Sequence, residues 1–260
     1  MSVKKYGENN KDTHEDIIAG RNPVSEALKS GRPIEGLFVV KGQHTGALSS
    51  VIAKAKSMGI TIKECDSRKL DYMCGGAAHQ GVVAVAAVKE YSSVDDILNE
   101  AKSRNEAPFI IILDEIEDPH NLGAVIRTAE CAGAHGVIIP KRRSAGLTYS
   151  VGKASAGAVE YMHVARVTNI VNEIERLKEK GIWVYCADMD GTSWCDTELT
   201  GGIALVIGSE GNGVSRLVKE KCDGVISLPM YGKINSLNAS VAAGIIIYEA
   251  ARQRNGIKAK

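Results

Sequence analysis

Ile203-Ala-Leu-Val-Ile207, followed by Gly208-Ser-Glu-Gly-Asn-Gly213, is the stretch on which the fold turns. Five consecutive apolar residues with no polar alternate suit a strand buried on both faces, as in a parallel sheet covered by helices. The glycines that follow free backbone N–H groups and allow close approach. They do so at the carboxyl end of a strand, where open α/β sheets bind ligands. The spacing G-x-x-G-x-G is neither a dinucleotide fingerprint nor a Walker A loop, and the Glu210 carboxylate opposes a phosphate. The alternative is a Gly-rich turn that only shapes a strand–helix junction.

Outward from this point the same alternation continues. Strands are expected at Phe109–Leu113, Gly136–Ile139, Ile182–Ala187 and Val225–Leu228, with helices at Leu122–Cys131, Thr168–Lys180, Val214–Cys222 and Asn238–Gln253. Residues 108–260 therefore read as an α/β domain on a largely parallel sheet. Residues 17–90 repeat the alternation more weakly and make a smaller α/β domain. The segment 91–107, YSSVDDILNEAKSRNEA, is polar and acidic and reads as a linker ended by Pro108. Residues 1–16 lack an apolar core and read as a disordered tail.

Composition excludes several classes. Hydrophobic residues make up 44% and charged residues 24%, which rules out a mainly disordered or collagen-like chain. No 18-residue apolar run is present, so no membrane span is expected. Net charge is +1, yet residues 17–90 hold ten Lys and Arg against six Asp and Glu, a local excess of +4. The six cysteines form no C-x-x-C and read as reduced thiols of a cytoplasmic protein. The six histidines show no metal-ligand spacing, so no metal is expected.

Two further loops are placed to carry chemistry. In DPHNLGAVIRTAECAGAHG (118–136), Leu122, Val125, Ile126 and Ala129 form a helical apolar stripe from which Arg127 stands apart, with Asn121 at the helix start. On spacing alone Arg127 reads first as a surface helix arginine, as most are, and Asn121 as an N-cap. In Leu228-Pro-Met-Tyr-Gly-Lys-Ile-Asn-Ser-Leu-Asn-Ala-Ser240, Ser236, Asn238 and Ser240 crowd a helix N-terminus, where Asn235 or Ser236 could serve merely as the cap.

Taken together, NLGAVIRTA, LVIGSEGNGVS and ISLPMYGKINSLNAS resemble, in order and spacing, the three signature motifs of the SpoU (TrmH-like) family of SPOUT RNA ribose 2′-O-methyltransferases. The nearest likeness is to the bacterial 23S rRNA guanosine-2′-O-methyltransferases. AGRNPVSEAL (19–28) and HQGVVAVA (79–86) are similar to that group's L30e-like RNA-binding domain. The resemblance implies a parallel-sheet catalytic domain with a C-terminal trefoil knot, S-adenosyl-L-methionine as cofactor, 23S rRNA as partner and a homodimer with its site near the interface. It implies catalytic roles for Asn121, Arg127, Glu210, Ser236 and Asn238. It places cofactor contacts on Gly208, Leu228 and Leu237, with Met230 and Gly211 as neighbours.

The implied reaction displaces a methyl group from a sulfonium by a ribose hydroxyl. The sulfonium is already activated, so the chemistry requires no metal. The hydroxyl is scarcely ionised at neutral pH and needs an acceptor and alignment. Arginine is a poor base because it stays protonated, so a phosphate clamp that also polarises the hydroxyl suits Arg127 better. Competing readings are a non-catalytic RNA-binding protein on the same fold, a nucleotide-dependent oxidoreductase and a tRNA substrate.

Overall fold

A computed structural model describes residues 17–32, 34–42, 46–86 and 89–257. The tail expected over 1–16 lies outside the described residues. The chain divides into two compact units, the first comprising 17–89 with Leu147–Lys153 and the second Glu90–Gly146 with 154–257.

The first unit runs β1 (Ile17–Ala19), α1 (Arg21–Lys29), β2 (Ile34–Val40), α2 (Ala47–Ser57), β3 (Ile62–Cys65), α3 (Ser67–Met73) and β4 (Val82–Ala86). Its sheet has the order β1-β4-β2-β3, parallel only between β2 and β3. Leu37 and Val39 point to one face, under Val24, Leu28, Leu48 and Val51 of α1 and α2. Phe38 and Val40 point to the other, where Leu70 of α3 packs. The period-two alternation of β2 thus sets which helices cover which face.

The second unit runs α4 (Val94–Ser103), β5 (Phe109–Leu113), α5 (Pro119–Cys131), β6 (Gly136–Pro140), β7 (His163–Val167), α7 (Ile170–Glu179), β8 (Trp183–Ser193), β9 (Ile203–Ile207), α8 (Arg216–Lys221), β10 (Gly224–Ser227) and α9 (Ala239–Arg254). The short helix α6 (Tyr149–Ala154), between β6 and β7, groups almost wholly with the first unit. All five strand pairings are parallel, in the order β10-β8-β9-β5-β6-β7. Every residue of β5 and β9 is buried, as their unbroken apolar runs require. The strand order reverses between β5 and β9, so the crevice at their carboxyl ends is the switch point where ligands bind in such sheets.

The linker expected at 91–107 is not one. Ser93 and Asp96 form a capping box at the start of α4, whose Ile97 is fully buried in the second unit's core. Ser92 N–H donates to Val164 O, fastening the segment to β7. Three apolar positions on one face of α4 suffice for docking despite the polar composition. β7 was also missed, because HVARV interrupts its apolar run with Arg166 at the sheet edge. No helix among the described residues is long and apolar enough to cross a membrane.

Candidate active site

Loops at the carboxyl ends of β5, β9 and β10 build the site. At α5, Asp118 is the cap, its carboxylate accepting from His120 N–H at 2.8 Å. Pro119 takes the first helical position, where a missing N–H costs nothing. Asn121 is therefore no cap. It lies inside the first turn, 7% exposed, and its amide donates to Glu210 Oε1 at 2.8 Å. At α9 the cap is Asn238, not Asn235 or Ser236. Its Oδ1 accepts from Ser240 N–H at 3.0 Å, Val241 N–H at 3.2 Å and the Ser240 hydroxyl at 2.6 Å. The Asn238 amide donates to Asn121 Oδ1 at 3.0 Å and also to Glu210 Oε1. Three motifs far apart in sequence thus close into one polar triangle. Both donors use Glu210 Oε1, which leaves Oε2 as an acceptor without a partner among the described residues.

The loop carrying Glu210 is held by its own backbone. Ser209 N–H donates to Gly213 O at 3.1 Å, and Gly213 N–H to Ser209 O at 2.9 Å. Gly213 takes φ 64°, a left-handed conformation that favours glycine. A Cβ on Gly208 would lie 2.0 Å from the Gly213 carbonyl carbon. The close approach expected at Gly208 is therefore to the far end of its own loop. Asp114, a residue that sequence reasoning missed, ties the loop to the sheet: buried at the end of β5, it accepts from Ser215 N–H at 2.8 Å through Oδ2.

Arg127 does not join the triangle. It lies six residues after Asn121, about 240° around the helix. It is exposed and makes no hydrogen bond or ion pair among the described residues. Within one chain Glu210 engages Asn121 and Asn238 through their amides and does not touch Arg127.

Beside the triangle lies a cavity of about 310 Å³. Gly208, Gly211, Leu228, Met230 and Leu237 all line it, and so does Ser236. Glu210 lines both this cavity and a second one, bounded by Glu115–Asp118 and Asn121, at the switch point. The first cavity has a further acidic wall that sequence reasoning missed, Asp188 in the middle of β8. Burial raises the Asp188 pKa, but hydrogen bonds from Lys219 Nζ at 2.8 Å and Met189 N–H at 2.6 Å outweigh it, holding the carboxyl below its ordinary value. The acidic D-x-D-G run of residues 188–191, directly after the apolar part of β8, was the available signal. No cluster of three metal-ligating side chains occurs among the described residues.

Comparison with known proteins follows this geometry. Residues 108–248 match the model of the SpoU rRNA Methylase family, and residues 17–92 match the model for RNA 2′-O ribose methyltransferase substrate binding. YacO of Bacillus subtilis (strain 168), named as a TrmH family tRNA/rRNA methyltransferase, is 51% identical over 93% of this chain and 97% of its own. A protein of Staphylococcus aureus (strain MSSA476) named for the same family is 43% identical, with the same coverage. The SpoU methyltransferase AviRb of Streptomyces viridochromogenes, solved in complex with AdoMet, superposes with a TM-score of 0.77 at 25% identity, over 92% of this chain and 90% of that one. Two family models in series, near-complete relatives and the motif triangle agree: this chain belongs to the SpoU, TrmH-like, family of RNA methyltransferases.

Proposed function

We propose that the protein transfers a methyl group from S-adenosyl-L-methionine to a ribose 2′-hydroxyl of RNA, with a guanosine of 23S ribosomal RNA as the target. The observation that carries this reading is the convergence of Asn121, Glu210 and Asn238 beside a cavity lined by the three residues expected to contact the cofactor and their two expected neighbours. The cavity fits a nucleoside: it is of small-molecule size, with apolar walls at Leu228, Leu237 and Ile246 and polar backbone along 208–213. The bound cofactor supplies a methyl group on a sulfonium.

The chain's own groups do the rest. Asn121 and Asn238 fix the Glu210 carboxylate, whose free Oε2 is available to accept a hydrogen bond from the attacking hydroxyl. Ser236 offers a hydroxyl at the cavity rim to hold the ribose. Arg127 binds the adjacent phosphate in a fork and polarises the hydroxyl. It acts across a homodimer interface, since within its own chain it faces away from Asn121. The exposed stripe of α9, with Val241 at 50% and Tyr248 at 53% exposure, supports such an interface. α5 packs on α9, so Arg127 is carried close to that helix. The knotted path implied for the motifs and a cytoplasmic setting belong to the same reading.

Ribose-methylation mapping of ribosomal and transfer RNA, from cells with and without the protein, tests it. One lost 2′-O-methylguanosine in 23S rRNA is expected. A lost mark in tRNA alone moves the activity to that substrate. No lost mark, together with no cofactor binding by calorimetry, favours a non-catalytic RNA-binding protein.

A further inference from the structure

The two segments of the first unit that carry its family likeness, 19–28 and 79–86, meet along a seam that includes Arg21 and Gln80. Arg21 opens α1, and its backbone N–H donates to Gln80 Oε1 at 3.0 Å. Its Nε–H donates to the Gln80 carbonyl, also at 3.0 Å. Gly20 N–H donates to Val82 O, completing the seam. We propose that Arg21 is an RNA phosphate clamp whose guanidinium is set in place by Gln80 before any RNA arrives. This rests on the reading that the protein acts on RNA, and it names one residue with which the first unit grips it.

Geometry and charge carry the argument. Gln80 holds φ 52°, a left-handed conformation unfavourable for a residue with a Cβ, and Gly81 follows at φ 86°. A glycine at 80 would relieve the strain but would lack the amide oxygen that Arg21 N–H uses. The loop is anchored from its other side as well. His79 Nδ1 accepts from Gly81 N–H at 2.9 Å, and His79 Nε2 lies 3.2 Å from Asp71 on α3. One strained glutamine, a glycine that accepts the left-handed turn and a histidine anchor thus converge on presenting one carbonyl and one amide oxygen to Arg21.

What Gln80 leaves unused is the outer edge of the guanidinium. Arg21 is exposed, and its Nη1 and Nη2 donate to nothing among the described residues. Among the described residues no carboxylate pairs with it, and the first turn of α1 contains no acidic residue. An unconstrained surface arginine loses rotamer entropy when it is immobilised. The Nε bond fixes the guanidinium plane in advance and reduces that loss. Two parallel Nη–H donors match two phosphate oxygens in a bidentate fork. The +4 excess of residues 17–90 favours a polyanion as the occupant.

The test is filter binding of the full-length protein to deproteinised ribosomal RNA and to bulk tRNA across a salt series, with thermal melting in parallel. Arg21→Ala should weaken binding about tenfold and flatten the log–log salt slope by about one. Arg21→Lys should keep the slope but lose affinity several-fold, because an ammonium cannot form the fork. Gln80→Gly, which keeps Arg21 but loosens it, should weaken binding about two- to threefold with an unchanged slope and an undiminished melting temperature. Wild-type affinity and slope in Arg21→Ala would overturn the clamp while leaving RNA binding intact. So would weaker binding at an unchanged slope with a lowered melting point, which marks a mere staple. If Arg21→Ala does not fold, wild-type affinity in both Arg21→Lys and Gln80→Gly would overturn it. A wild-type protein that binds neither RNA would overturn the parent reading as well.

Discussion

Gly208→Ala is the sharpest single perturbation of the cofactor loop. The added Cβ would stand 2.0 Å from the Gly213 carbonyl carbon, 2.1 Å from its oxygen and 2.2 Å from Val214 N. Ordinary contact begins near 3.4 Å, so backbone must move by more than an ångström, and no flexible side chain can absorb the shift. That movement breaks the paired Ser209–Gly213 hydrogen bonds, at about 0.5–1.5 kcal/mol each. Overpacking strain adds about 1–3 kcal/mol. The expected loss is therefore about 2–6 kcal/mol, read from urea unfolding, together with loss of S-adenosylmethionine binding by calorimetry. Gly211→Ala is the matched control. A Cβ there meets nothing within 4 Å, so its stability should stay within about 0.5 kcal/mol of wild type. If the two variants unfold at the same denaturant concentration, the account of this loop as a sterically closed turn is wrong.

Asn121→Asp would set a carboxylate against Glu210 in place of an amide donor 2.8 Å away. Two facing carboxylates resist joint ionisation, so methyl transfer should fall below that of Asn121→Ala at alkaline pH and recover as pH falls; a pH-independent deficit refutes the donor role. Tyr248→Glu combined with Val241→Asp should give a monomer by sedimentation that binds cofactor but does not methylate, and a fully active monomer removes the dimer from the mechanism. His135 is buried, with Nδ1 accepting from Phe109 N–H at 2.9 Å and Nε2 bonded to Glu106 at 3.0 Å. Burial lowers its pKa and Glu106 only partly opposes this, so the folded protein keeps the ring neutral where the unfolded chain protonates. The resulting stability is complete above the unfolded value of about 6.5 and declines as pH falls toward the lower folded value. Urea midpoints at about pH 7.5 and 5.5 should differ less in His135→Gln than in wild type, and an equal difference assigns the acid sensitivity elsewhere.

The sequence alone determined the parallel sheet, because IALVI and FIIIL contain no polar alternate and can only be buried on both faces. It also determined which loops matter, because three motifs in series have far more specificity than any one of them. Local chemistry was less legible. The caps fell on Asp118 and Asn238 rather than on the neighbouring polar residues, because capping depends on where the chain enters the helix and not only on composition. The acidic stretch 91–107 read as a linker because a three-residue apolar face is a faint signal until a sheet is present to receive it. Tertiary structure alone decided that Asn121, Glu210 and Asn238 bond to one another while Arg127 points elsewhere. Side chains separated by 89 and 117 residues meet only through the order in which parallel strands assemble. Helical periodicity fixes an angle around an axis, but the packing of α5 against α9 decides what that angle faces. The Arg21–Gln80 pair has the same origin: β1 and β4 are adjacent in the sheet although the two side chains are 59 positions apart in sequence, and strand pairing over such distances leaves no local trace in the chain.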